Sequence, residues 1–224
     1  MKATVFGDSI LKGVLLENGR YTVNHEWEER LGREFGCEVR NRSRFGCTIG
    51  KAMPAITRDC AEKSDAGEYV LLEFGGNDCD YAWAEISKEP DGIYECKTPP
   101  EVFTALYTEA VGRIKMSGRM PVLLSLPPIH SERYLRFICR NGLSEEKILH
   151  WLGDVDAIYR WQAQYSAIIQ NIAEKTRTAW IDLRNAFPSR QQDLAKFLCE
   201  DGIHPSRSGQ ELIYETFCNV LSRA

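Results

Sequence analysis

The chain has 224 residues and a formal net charge of −4, from 28 Lys and Arg against 32 Asp and Glu, with the two signs interspersed. That length suits one full-sized α/β domain with a substantial core, and the charge pattern excludes the electrostatic footprint of a nucleic-acid or anionic-membrane binder. No apolar run reaches the length of a membrane span, and no linker, low-complexity stretch or internal repeat divides residues 1–224, so a single domain is expected.

Thr4-Val5-Phe6 reads as a short apolar strand running into the turn Gly7-Asp8-Ser9. Ser9 lies so close to Met1 that no signal peptide fits before it, and the expected location is cytoplasmic. A helix is predicted from about Asn24, where Trp27, Leu31 and Phe35 recur at helical spacing and Gly36 supplies the stop. Cys37–Asn41 is a second strand. A helix follows over Ile49–Ala61, in which Pro54 must fall in the first turn or kink it. Tyr69–Phe74 is a third strand, leading into Gly75-Gly76-Asn77-Asp78.

After an excursion from Cys79 to Lys97, Thr98-Pro99-Pro100-Glu101 predicts a helix start with Thr98 as its cap, and the apolar face runs on towards Gly118. Pro121–Leu126 is a fourth strand. The stretch 127–153 resists assignment: it holds Pro127-Pro128, arginines at 133, 136 and 140, and a short helical piece near Glu145–Leu152. A longer helix is predicted over Val155–Lys175, a fifth strand over Thr178–Leu183, and a helical piece over Gln191–Leu198. Asp201-Gly202-Ile203-His204 comes next, and Ser208 with Glu211 three residues on announces the last helix.

Short apolar strands alternating with amphipathic helices mean parallel β-α-β units. The expected architecture is a three-layer α/β/α sandwich around a five-stranded parallel sheet of the flavodoxin type. Ligands of such sheets sit beyond the carboxyl ends of the strands. Ser9, Gly46 and Asn77 each fall just after a predicted strand end, which places the three in one crevice.

A serine hydroxyl becomes a useful nucleophile only when a base takes its proton. Of four histidines, His204 is the candidate base, because Asp201 three residues earlier can hold its imidazole in one tautomer and stabilise the imidazolium. Pro205 biases His204 towards an extended backbone. Gly7-Asp8-Ser9 alone is also an ordinary turn, Asn77-Asp78 a loop cap and Asp201-Gly202 another turn; the joint order of the three pieces carries the reading.

In that order the pieces resemble blocks I, III and V of the SGNH (GDSL-type) hydrolase family of esterases, lipases, thioesterases and carbohydrate deacetylases. Gly46, closing Asn41-Arg42-Ser43-Arg44-Phe45-Gly46, stands where the family has its block-II glycine. The resemblance spreads from Gly7 to His204. It implies the three-layer fold, Ser9 as nucleophile, His204 as base and Asp201 as its partner. It also implies an oxyanion hole made by the backbone N–H groups of Ser9 and Gly46 and the Asn77 amide. No cofactor and no metal ion are expected.

The implied reaction is hydrolysis of a carboxylic ester through an acyl-enzyme, with a short acyl or O-acetyl group on a small molecule or carbohydrate as the favoured substrate. A lysophospholipase or acyl-thioesterase would share every catalytic residue, and an acyltransferase would differ only in excluding water. A non-catalytic binding protein on this scaffold is the alternative of another class. A nucleotide binder would want a loop richer in glycine or hydroxyl residues than Gly7-Asp8-Ser9-Ile10-Leu11. His25-Glu26 is followed by Glu29, which breaks the zinc pattern H-E-x-x-H, and neither a G-x-S-x-G elbow nor a P-loop is present.

Eight cysteines without C-x-x-C spacing read as reduced, mostly buried thiols. Cys47 and Cys79, beside Gly46 and Asp78, lack a base or cationic neighbour and read as inert. Asp8 and Asp78 are expected to hold their loops by bonding nearby backbone. Tyr81 and Trp83 follow Asn77 closely enough to wall a substrate pocket, although packing of a loop onto the domain accounts for them equally well. The 127–153 segment, with Tyr134, Phe137 and Trp151, is the candidate lid or specificity element. Its His130 and His150 are expected to face solvent or bond backbone. The sequence carries no signal for an oligomeric state.

Overall fold

In the computed structural model the described residues are 1–62 and 68–222. Strand β1 (Lys2–Gly7) is followed by a hairpin of β2 (Val14–Glu17) and β3 (Arg20–Val23), then α1 (Glu26–Phe35), β4 (Glu38–Asn41), α2 (Ile49–Ala61) and β5 (Tyr69–Glu73). The chain continues through α3 (Trp83–Lys88), α4 (Pro100–Met116), β6 (Met120–Leu124), α5 (Ser131–Cys139), α6 (Glu145–Leu152) and α7 (Ala157–Thr176). It ends with β7 (Ala179–Ile181), the short α8 (Gln191–Leu194) and α9 (Arg207–Leu221). Among the described residues, no helix is long and apolar enough to cross a membrane.

Five strands form a parallel sheet in the order β4-β1-β5-β6-β7. The period-two alternation of each strand decides its partners. Phe6, Val70, Leu72 and Leu123 pack with Ile49, Ile56, Tyr107, Ile114 and Ile169 of α2, α4 and α7. Ala3, Val5, Val122, Leu124 and Ile181 pack with Trp27, Leu31, Ile213 and Phe217 of α1 and α9 on the other face. These are the expected three layers, and the reversal of strand order at β1 and β5 marks where a doubly wound sheet opens its crevice. Ser9 and Asn77 follow those two adjacent strands.

A third cluster lies off the sheet. Ile86 of α3, Tyr134 and Leu135 of α5, Ile148 of α6 and Ile158 of α7 bury one another together with Ile129. The unassigned 127–153 stretch is therefore two helices, joined to α3 and to the start of α7 by their own small core.

Local boundaries depart from the sequence reading in four places. The β2–β3 hairpin was not foreseen; it turns on Asn18 (φ +52°) and Gly19 (φ +70°), the two positive-φ positions of a type I′ turn. Helix α4 begins after Pro99 without a side-chain cap, because the Thr98 hydroxyl is taken by the Asp78 carboxyl. The cap of α9 is Ser206, which accepts from Gly209 N at 3.3 Å, two residues before the expected Ser208. Pro54 falls in the second turn of α2, beyond the first turn where its missing N–H would have cost nothing.

Candidate active site

The turn after β1 sets Ser9 beyond the sheet, and the loop before α9 brings His204 to it across 195 residues of sequence, with Nε2 of His204 2.8 Å from Ser9 Oγ. On the far side of the ring, Nδ1 lies 2.6 Å from Asp201 Oδ2. The other oxygen of Asp201 accepts the backbone N–H groups of Ile203 at 3.0 Å and His204 at 3.1 Å. All three side chains are buried. Burial alone would raise the Asp201 carboxyl, but the His204 hydrogen bond, the imidazole's charge and the two backbone donors together hold it below its ordinary value.

The loop is held tightly. Gly202 has φ +73°, and a Cβ there would stand 2.7 Å from both Arg133 Cβ and the His130 carbonyl oxygen. Its own carbonyl accepts His130 N at 2.8 Å, so the loop is docked on the start of α5. This contact corrects the expectation for His130: the side chain is buried with Nδ1 unpartnered, and burial lowers its pKa. His150 is exposed, with Nε2 2.9 Å from Asp91 Oδ1.

Each of the three groups expected from sequence to face an oxyanion has an N–H left over. Asn77 Nδ2 donates one N–H to Asp8 Oδ2 at 2.8 Å, which leaves its second N–H available. The backbone N–H groups of Ser9 and of Gly46, which adopts φ +66°, have no protein acceptor among the described residues. Both Asp8 and Asp78 anchor backbone as expected: Asp8 Oδ1 accepts Ile10 N at 2.8 Å, and Asp78 Oδ1 accepts Ile49 N at 3.1 Å.

Sequence reasoning missed the residue beneath them. Glu73, the last residue of β5, is fully buried, and neither carboxyl oxygen has an ordinary donor aimed at it. It lies against Asp8, and two adjoining carboxyls can be bonded only when one carries a proton. Burial first, and then the Asp8 charge, raise Glu73 well above the ordinary carboxylate range. Burial also raises Asp8, and it pushes Asp78 up to about 7. Gly7 makes room for the group, since a Cβ there would meet Glu73 Oε2 at 3.3 Å and Ser43 Oγ at 3.1 Å.

A raised acid keeps in the folded state a proton that the unfolded chain gives up near its ordinary pKa. Stability is therefore lost as pH rises from that ordinary value through the raised one. Glu73→Gln keeps a neutral donor beside Asp8 and cannot ionise. The melting temperature of this variant, relative to wild type, is expected to rise by several degrees between pH 5 and pH 8. Parallel curves across that range would show Glu73 to be ionised throughout.

Two rings unforeseen from sequence cover His204. Tyr21 of β3 stands edge-on to the imidazole at 5.6 Å between centroids, and Phe45 stacks on it at 5.8 Å. From Ser9 a cavity of about 570 Å³ extends along Asn77, Tyr81, Trp83, Trp151 and Trp161. Tyr81 and Trp83 thus line a cavity, and α5 and α6 form one of its walls with Tyr134, Phe137 and Trp151. All eight cysteines are free thiols, and burial raises Cys47 and, more strongly, Cys79.

The sequence profile of the GDSL-like Lipase/Acylhydrolase family matches residues 5–212. The chain belongs to this family. It is accordingly an ester-hydrolysing enzyme. No curated protein matches it by sequence. Among solved structures it is similar to a lipase/acylhydrolase from Enterococcus faecalis, with 20% identity, a TM-score of 0.65 and coverage of 99% of this chain and 96% of that one. An acetylxylan esterase from Geobacillus stearothermophilus shows 19% identity and a TM-score of 0.64, over 98% and 93% of the two chains. An α/β hydrolase from the metagenome of Lake Arreo, Spain, shows 20% identity and a TM-score of 0.67, over 99% and 94%. At these identities the likeness is one of fold.

Proposed function

We propose that this GDSL-family chain hydrolyses carboxylic esters through an acyl-enzyme on Ser9. The observation that carries the reading is the buried series Ser9 Oγ–His204 Nε2 at 2.8 Å and His204 Nδ1–Asp201 Oδ2 at 2.6 Å. His204 takes the Ser9 proton as Oγ attacks the ester carbonyl, and Asp201 stabilises the imidazolium. The oxyanion is met by Ser9 N, Gly46 N and the free N–H of Asn77. On collapse, His204 gives its proton to the departing alcohol. Water then enters, loses a proton to the same nitrogen and releases the acid, restoring Ser9. The available backbone donors at Ser9 and Gly46 support hydrolysis over a purely binding role.

The test is labelling with a fluorophosphonate, which forms a covalent bond only with an activated serine. Mass spectrometry is expected to place the adduct on Ser9 and to find none in Ser9→Ala, with p-nitrophenyl ester hydrolysis lost in parallel. A labelled residue other than Ser9, or none in the wild type, overturns the assignment.

A further inference from the structure

The cavity beyond Ser9 is much larger than an acetyl group requires. Together with the His204 side, which Tyr21 and Phe45 also line, it measures about 570 Å³, whereas a methyl group is comparable with one water's share of the liquid, about 30 Å³. Its wall is built of rings: Tyr81 lies 4.9 Å from Trp151, 5.7 Å from Trp83 and 5.8 Å from Trp161 between centroids.

Several polar atoms of that wall are already engaged. Trp83 Nε1 and Tyr134 OH both donate to Asp80 Oδ1, at 2.8 and 2.6 Å, and Lys97 holds the other oxygen. Trp161 Nε1 donates to the Cys79 carbonyl at 2.9 Å. Gln162 donates to the Pro127 carbonyl at 2.8 Å and accepts from Arg184 at 2.6 Å. A sugar ring carries a hydroxyl on most of its carbons, and each one left unpaired among these rings would lose water without replacement. A hydrocarbon chain needs none.

The direction follows from the proton. The leaving alcohol receives it from His204 and so lies on that side, where Tyr21 (44% exposed) and Phe45 (54% exposed) border the imidazole and open to solvent. The acyl substituent is left to run along Asn77 towards Tyr81.

We propose that this chamber is an acyl-chain site, and that the preferred substrates are esters of unbranched fatty acids of about six to ten carbons. The proposal rests on the Ser9 reading above, and it replaces the short acyl group expected from sequence with a longer one.

The experiment is a pair of substrate series. With p-nitrophenyl esters from acetate to palmitate, kcat/KM is expected to climb two- to fourfold per methylene to an optimum between hexanoate and decanoate. With acetate esters of progressively longer alcohols it is expected to stay nearly level. Ala157→Phe, which fills the chamber from the first turn of α7, should lower the decanoate-to-butyrate ratio at least tenfold. Trp151→Ala should move the optimum to longer chains, and either variant suffices if the other fails to fold. Ser9-dependent hydrolysis that is flat or best on acetate, or that climbs with the alcohol instead, overturns the chamber alone. Failure of every ester together with no Ser9 labelling overturns the Ser9 reading, and the chamber proposal with it.

Discussion

Asp201→Asn is expected to lower kcat about ten-thousandfold while leaving KM nearly unchanged. The reason lies in how the two oxygens of Asp201 are used. Oδ1 is fixed as an acceptor by the backbone N–H groups of Ile203 and His204, so in the asparagine the carbonyl oxygen must occupy that position. The amide NH2 then faces His204 Nδ1, where Oδ2 now sits 2.6 Å away. A donor in that place forces the opposite tautomer, with the ring proton on Nε2 pointing at Ser9. The base is then absent although every heavy atom is in place. The melting temperature should stay within a few degrees of wild type, and fluorophosphonate labelling should slow in step with turnover. A loss below about tenfold would mean that His204 does not act through this tautomer.

The second large effect is expected at Asn77. Asn77→Ala removes one of the three proposed oxyanion donors and should reduce kcat by about a hundred- to a thousandfold. The same amide donates to Asp8 Oδ2, so some stability is lost as well. Comparing kcat with KM separates the two: a donor that acts on the tetrahedral intermediate appears in kcat, whereas general loosening of the pocket raises KM. Asn77→Asp should be worse than alanine, because it places a carboxylate beside Asp8 and against the developing negative charge.

The proposed site was legible because each motif lies where a strand gives way to a loop or a loop gives way to a helix. β1, β5 and β6 are nearly unbroken apolar runs, and only a sheet covered on both faces asks for that. Ser9, Asn77 and His204 then follow from chemistry and order. The missed features depend on contacts between distant segments. Glu73 sits in an apolar strand, and nothing in Tyr69-Val70-Leu71-Leu72-Glu73 says that its acid is buried against Asp8. His130 is buried because Gly202 docks on it, and Trp151 and Trp161 meet Tyr81 only when α6 docks on α3 and α7 on the sheet. The caps differ at Thr98 and Ser208 because a competing partner, Asp78 in one case and an earlier serine in the other, claims the position. The β2–β3 hairpin was available: Asn18-Gly19 between Val14-Leu15-Leu16 and Tyr21-Thr22-Val23 is a strong turn signal. It lies outside the β-α-β rhythm, which carries no signal for an inserted antiparallel pair.

That hairpin ties the two ends of the chain together. Leu16 N donates to Cys199 Sγ at 3.4 Å, Gly19 N donates to Glu200 at 2.7 Å, and Arg207 pairs with Glu17 at 3.0 Å. Ser9 and His204 meet across 195 residues of sequence, a loop closure to which this union contributes. Closing so long a loop costs entropy that later contacts must repay, so such pairings tend to form late. A nascent chain still lacking its final segment can lay down most of the sheet yet holds a serine with no base beside it. Recovery of hydrolysis during refolding should accordingly lag behind recovery of secondary structure, which makes activity a timer for the last step of folding.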